Sequence, residues 1–170
     1  IDKGGYLDNI LKGIARANGL EIVINVSEYR KDKVAVLVVG DGLSSILLSS
    51  LLSKFNNEYK NQTDFDIMDP REAEKVLERE GFNIASCTTY ECQVEVGTKL
   101  GVDNLVFIKL SYLERAKILN VSTVFSEIYT KRVGETDDLD LSVKRGQTPD
   151  DVIIQNVPNI VSSFWSKFNP

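Results

Sequence analysis

The sequence predicts a mixed α/β domain, a β-sheet with helices packed on its faces. Three observations predict it. VAVLVVG (34–40) is a nearly continuous apolar run rich in β-branched residues, as a strand buried on both faces requires. Leu43, Leu47, Leu51 and Phe55 step by four straight after it, at helical spacing. A second strand follows that helix, so the three segments make a strand–helix–strand unit with a right-handed crossover.

Taken in order, YLDNILKGIARAN (6–18) places Tyr6, Ile10, Leu11 and Ile14 on one helical face, and Asn18-Gly19 stops it. LEIVINV (20–26) reads as a strand and SEYRKDK (27–33) as a charged turn. The 34–40 strand ends at Asp41-Gly42, and a helix runs from about Leu43 to Tyr59. FDIM (65–68) is a short strand. Asp69-Pro70 is a cap followed by proline at the first helical position, opening a helix that ends at Gly81. Residues 88–101 form another helix stopped by Gly101, with Cys92, Val96 and Leu100 on its sheet side and Gly97 allowing close approach. Strands are expected at 102–113 and 118–131, a turn at Arg132–Asp138, and a strand at 139–143. The last helix opens at GQTPDD (146–151), and Pro158 inside it is expected to kink or restart it. The order is α-β-β-α-β-α-α-β-β-β-α, with the late strands antiparallel. A soft boundary at SEYRKDK divides a small amino-terminal piece, 1–30, from a main domain, 31–170.

The chain has 170 residues, 42% apolar and 26% charged, the composition of an ordinary folded domain. Twenty basic and 25 acidic residues leave a net charge of −5, which argues against nucleic acid and anionic lipid as partners. There is no histidine, which excludes Ser-His-Asp and Cys-His chemistry and imidazole zinc sites. No apolar run reaches the length of a bilayer span, so membrane association is expected only through a segment outside this sequence, such as a leader or lipid anchor before Ile1.

Two constellations carry chemistry. Cys87 and Cys92 lie five apart, one before a helix and one on its first turn. They suit a local disulfide if the compartment is oxidising, and two reduced, buried thiols otherwise. VVGDGLSS (38–45) joins a buried strand to a helix start, the context of an anion-cradling loop, with Gly40, Asp41, Gly42, Ser44 and Ser45 as candidates. It lacks the Gly-Lys-Ser/Thr ending and the three-glycine dinucleotide spacing, so a tight turn with a serine cap is the stronger reading. The carboxylates of REAEKVLERE (71–80) alternate with bases, as on a solvated face, and Asp137, Asp138 and Asp140 lack a calcium-loop register. No metal, cofactor or catalytic group is expected.

From Lys33 onward the chain resembles a known pattern. KVAVLVV, FDIMDPREAEKVLEREGF and SCTTYECQVEVGTKLGVDNLVFIKL resemble the curli-secretion-channel (CsgG-like) and TolB amino-terminal-domain families of bacterial envelope proteins. Cys87, Glu91, Cys92, Glu95, Gly97, Leu100, Gly101 and Asp103 sit at matching positions over about residues 33–131. The resemblance implies an anticodon-binding-domain-like three-layer arrangement. More weakly, residues 6–39, through Asn18-Gly19-Leu20-Glu21-Ile22-Val23-Ile24, resemble the short amino-terminal domain of secretins and TonB-dependent receptors. Both resemblances imply the periplasm, or the periplasmic face of the outer membrane, of a two-membrane bacterium. They imply a non-enzymatic scaffold that binds secretion, flagellar or cell-wall machinery, with a homo-oligomer also possible. Two alternatives stand beside it. One is regulation of a cell-wall synthase, as activators of related fold do; the other is a small-ligand or nucleotide module built on the 40–45 loop.

Overall fold

The alternating valines of the first strand decide where the layers go. In the computed structural model, which describes residues 31–87 and 89–168, β1 (Lys33–Asp41) is buried from Val34 to Val39. Val34, Val36 and Val38 point into one apolar cluster, and Ala35, Leu37 and Val39 into a second on the opposite face. A strand of this kind must be central and covered on both sides.

Among the described residues, four helices supply the cover. α1 (Ser45–Gln62) presents Leu47, Leu51, Phe55 and Tyr59 to the first cluster. α4 (Pro149–Phe168) adds Val152, Ile153, Val157, Ile160, Val161 and Phe164 to it. On the other face, α2 (Pro70–Glu80) buries Ala73 and Leu77, and α3 (Tyr90–Leu100) buries Val96 and Leu100. The result is a helix–sheet–helix sandwich of three layers. Among the described residues the sheet has five strands in the order β2-β1-β3-β4-β5. Beyond β1, β2 is Asp66–Ile67, β3 Asn104–Leu113, β4 Ile118–Glu127 and β5 Arg132–Ser142. β1 pairs in parallel with β2 and β3, whereas β3, β4 and β5 form an antiparallel meander.

Local chemistry sets the boundaries. Ser44 caps α1, Asp69 caps α2 and Thr89 caps α3, each side chain accepting a backbone N–H of its own first turn. Gly81 and Gly101 end their helices at φ +69° and +66°, where a side chain would be strained. Gly97 has a different task. A Cβ there would lie 2.3 Å from Cδ1 of Ile128, so only glycine lets α3 settle against the chain leaving β4.

Two expectations need correction. Residues 132–138 are not a turn: β5 spans Arg132–Ser142, and the reversal from β4 occurs at residues 128–131, with Lys131 at φ 50°. The outer backbone groups of β4 require hydrogen-bond partners over their whole length, and that demand outweighs the polar composition of 132–138. A bulge between Val124 and Ser126 absorbs one extra β5 residue. Nor does α4 restart at Pro158, since the helix continues through it to Phe168. Pro158 is exposed, and its carbonyl accepts a hydrogen bond from Gln62 of α1. The helix and strand expected at 6–18 and 20–26 lie outside the described residues.

Candidate functional site

Cys87 follows a single 3₁₀ turn (Ile84–Ser86), and Cys92 lies on the first turn of α3. The two are disulfide-bonded with Cα atoms 5.5 Å apart. Cys87 is buried in the second cluster, so the bond ties the α2–α3 connection to the layer beneath it. Immediately after Cys92 on α3, Gln93 is buried and its side-chain oxygen accepts a hydrogen bond from the buried Ser126 hydroxyl at 3.1 Å. That contact fixes α3 to β4. No reactive thiol results from this arrangement.

The strand–helix loop is occupied with structural work. The Ser44 hydroxyl accepts the Leu47 N–H at 3.2 Å. Gly42 holds φ +74°, and a Cβ on Gly40 would meet Leu48 Cδ2 at 2.7 Å. Asp41, Gly42, Ser44 and Ser45 are exposed. The loop is therefore arranged as a turn and helix cap.

A cleft of about 380 Å³ opens at the end of the sheet where β1 and β3 begin, lined by Asp32, Phe65, Asp103, Asn104, Phe125 and Glu127 among others. Its carboxylates have structural partners. Asp103 accepts the Lys33 N–H at 2.7 Å, Asp32 accepts from the Asn104 amide at 3.3 Å, and Glu127 accepts the Thr130 hydroxyl at 2.7 Å. Its aromatic floor continues into Trp165, whose ring meets Phe65 edge-on at 4.9 Å. Among the described residues no cluster of three or more candidate metal ligands exists.

Titration behaviour is likewise structural. Hydrogen bonding and charge from Lys99, then Arg79, hold the Glu80 carboxyl below its usual range. The Thr148 hydroxyl and backbone N–H do the same for Asp151 at the start of α4. Burial, with the Asp137 charge adding to it, pushes the Tyr59 phenol far above its ordinary value. Burial likewise raises Tyr90, helped by Glu127 and Glu91.

Among the described residues, half of the sheet face that α2 and α3 occupy is left without a helix over it. They cover Leu105 and Phe107 but not the far end of the strands. The register places Lys109 beside Ser122 and Asp138, and Ser111 beside Asn120 and Asp140. Leu113, 53% exposed, sits beside Ile118 at the hairpin tip. Asn120 donates to Asp140 at 2.9 Å across this face. Reading 132–138 as a turn concealed the surface. The signal for it was the alternation of Leu139 and Leu141 with Asp138, Asp140 and Ser142, extended by two residues toward Thr136.

Comparison with known proteins gives the fold and stops there. No family model and no curated protein matches the sequence. Solved structures do. The C-terminal domain of LpoB from Salmonella enterica superposes with a TM-score of 0.51 at 9% identity, over 79% of this chain and 93% of that one. Lipoprotein GNA1162 from Neisseria meningitidis gives 0.58 at 7% identity, over 78% and 96%. A PelC dodecamer from Paraburkholderia phytofirmans gives 0.50 at 12% identity, over 78% and 86%. The chain thus shares the fold of bacterial lipoprotein domains of the LpoB and GNA1162 kind. At these identities the likeness is one of fold alone, and no family match carries the CsgG-like, TolB or secretin-like resemblance further.

Proposed function

We propose that this chain is a non-enzymatic, partner-binding domain of the bacterial envelope, and that its partner is a cell-wall synthase rather than secretion or flagellar machinery. The observation carrying the reading is the shared three-layer fold with the LpoB C-terminal domain and lipoprotein GNA1162, over more than nine-tenths of each. It favours the activator alternative over a secretion scaffold. Support also comes from the layout of polar groups: the carboxylates of the cleft serve structural hydrogen bonds, and Cys87 and Cys92 are joined. The disulfide fits a domain working in an oxidising compartment such as the periplasm. Its docking chemistry is surface complementarity over strand and helix faces.

A second reading, a homo-oligomeric ring scaffold, has one observation in its favour: the PelC structure of the same fold is a dodecamer. Light scattering of the purified chain separates the two, a ring giving a mass many times that of one chain. For the main reading, the tagged chain is used as bait in detergent-solubilised envelope. Recovery of a transpeptidase or glycosyltransferase at stoichiometric level, competed by untagged chain, is the expected result. Recovery of a secretin or flagellar ring component instead overturns it.

A further inference from the structure

The sheet ends at β5 with nothing beyond it among the described residues. The Val143 N–H donates to the Lys117 carbonyl at 2.8 Å, so at Val143 the backbone points back into the sheet. Peptide groups alternate along an antiparallel strand. The N–H and C=O groups of Ser142, Asp140, Asp138 and Thr136 therefore point outward, and none of them hydrogen-bonds to another described residue. The same four side chains lie exposed on the bare half of the sheet face. Four consecutive outward peptide positions make an open template for one more strand.

Charge decides what that strand can be. Asp138 and Asp140 occupy the middle of the edge, with Lys131 and Arg132 at one end and Lys144 and Arg145 at the other, all exposed. A second copy pairing antiparallel about Asp138 sets Asp138 against Asp138 and Arg132 against Lys144. Shifted by one pair, it sets Asp138 against Asp140. Like charges directly opposed across a ladder are destabilising, so a second copy is disfavoured in the two registers centred on the aspartates, though not in one shifted far enough to set Asp138 against Lys144. A strand with basic residues at alternate positions meets the aspartates favourably instead. We propose, resting on the partner-binding reading above, that the outer edge of β5 is a strand-addition site for an extended, basic segment of the partner protein.

The test uses the full chain, ¹⁵N-labelled, and two synthetic ten-residue peptides, one alternating threonine with lysine and one threonine with glutamate. The lysine peptide is expected to bind and to slow amide exchange at Thr136, Asp138, Asp140 and Ser142. Affinity should fall about tenfold in Asp138→Lys and further in Asp138→Lys/Asp140→Lys, and fall steeply with salt. Asp140 accepts a bond from Asn120, so the single Asp138→Lys variant guards against a folding defect. Exchange unchanged at those four amides, equal affinity for both peptides, or dimerisation of the free chain through β5 overturns the proposal. If both variants still capture a synthase like the parent chain, the edge is not the docking site while the partner reading stands. If the lysine peptide binds as expected but no synthase is captured, the reverse holds.

Discussion

At the scale of single residues, two positions carry consequences out of proportion to their size. Gly97 sits where a methyl group would come within 2.6 Å of both Cγ1 and Cδ1 of the buried Ile128. Gly97→Ala should therefore destabilise the fold by about 1–3 kcal/mol, the usual cost of overpacking. Chemical denaturation measures this, and adding Ile128→Val should recover part of the loss. A Gly97→Ala variant at full stability would mean that α3 does not rest on Ile128. Tyr59 is the second. Its ring is fully buried and its hydroxyl has no hydrogen-bond partner among the described residues. An unsatisfied buried hydroxyl costs on the order of 1–3 kcal/mol. Tyr59→Phe should thus be neutral or stabilising by about 1 kcal/mol, and a clear loss of stability would reveal a partner for that oxygen.

Elements were legible in the sequence to the degree that one physical signal dominated them. β1 had an unbroken apolar run, α1 a four-residue stripe, and α2 a cap, a proline and a terminal glycine. β5 was misread over 132–138 because an edge strand needs few apolar residues. Its inward Asp137 is met by Ser163 and Lys167 of α4, and sequence distance hid those partners. The Cys87–Cys92 pairing was legible as one of two alternatives, since five residues of separation allow but do not force a bond. For so short a loop the bond should contribute about 2 kcal/mol. The double variant Cys87→Ser/Cys92→Ser is expected to lose about that much by urea denaturation and to remain folded; no loss would assign the pair no stabilising role.

The start of α4 makes a pH prediction. Thr148 and Asp151 cap each other: Asp151 accepts from the Thr148 N–H at 3.2 Å, and the Asp151 N–H donates to Thr148 Oγ1 at 3.1 Å. The folded carboxyl titrates below its ordinary value of 3.8. A lowered folded pKa gives stability that is present above that ordinary value and lost as pH falls through the folded one. Asp151→Asn should therefore flatten the decline in stability below about pH 4, and salt should weaken the difference. A variant with the parent's acid profile would contradict the capping role.

For the molecule as described, residues 31–87 and 89–168, the sheet is covered on one face by α1 and α4 and half covered on the other by α2 and α3. The covered parts explain why the chain folds, and under the proposed reading the half left uncovered among the described residues, with the β5 edge, is where a partner docks. Composition pointed toward binding rather than catalysis through the missing histidine, yet the surface depended on strand order, which no local signal encodes. The decisive measurement is the glycan-polymerising rate of a purified cell-wall synthase from the chain's source organism, titrated with this chain. A saturable change in rate, with half-effect at the concentration that half-saturates binding, is the predicted result. A rate that stays constant while the chain is present in large excess, with no complex formed, would contradict it.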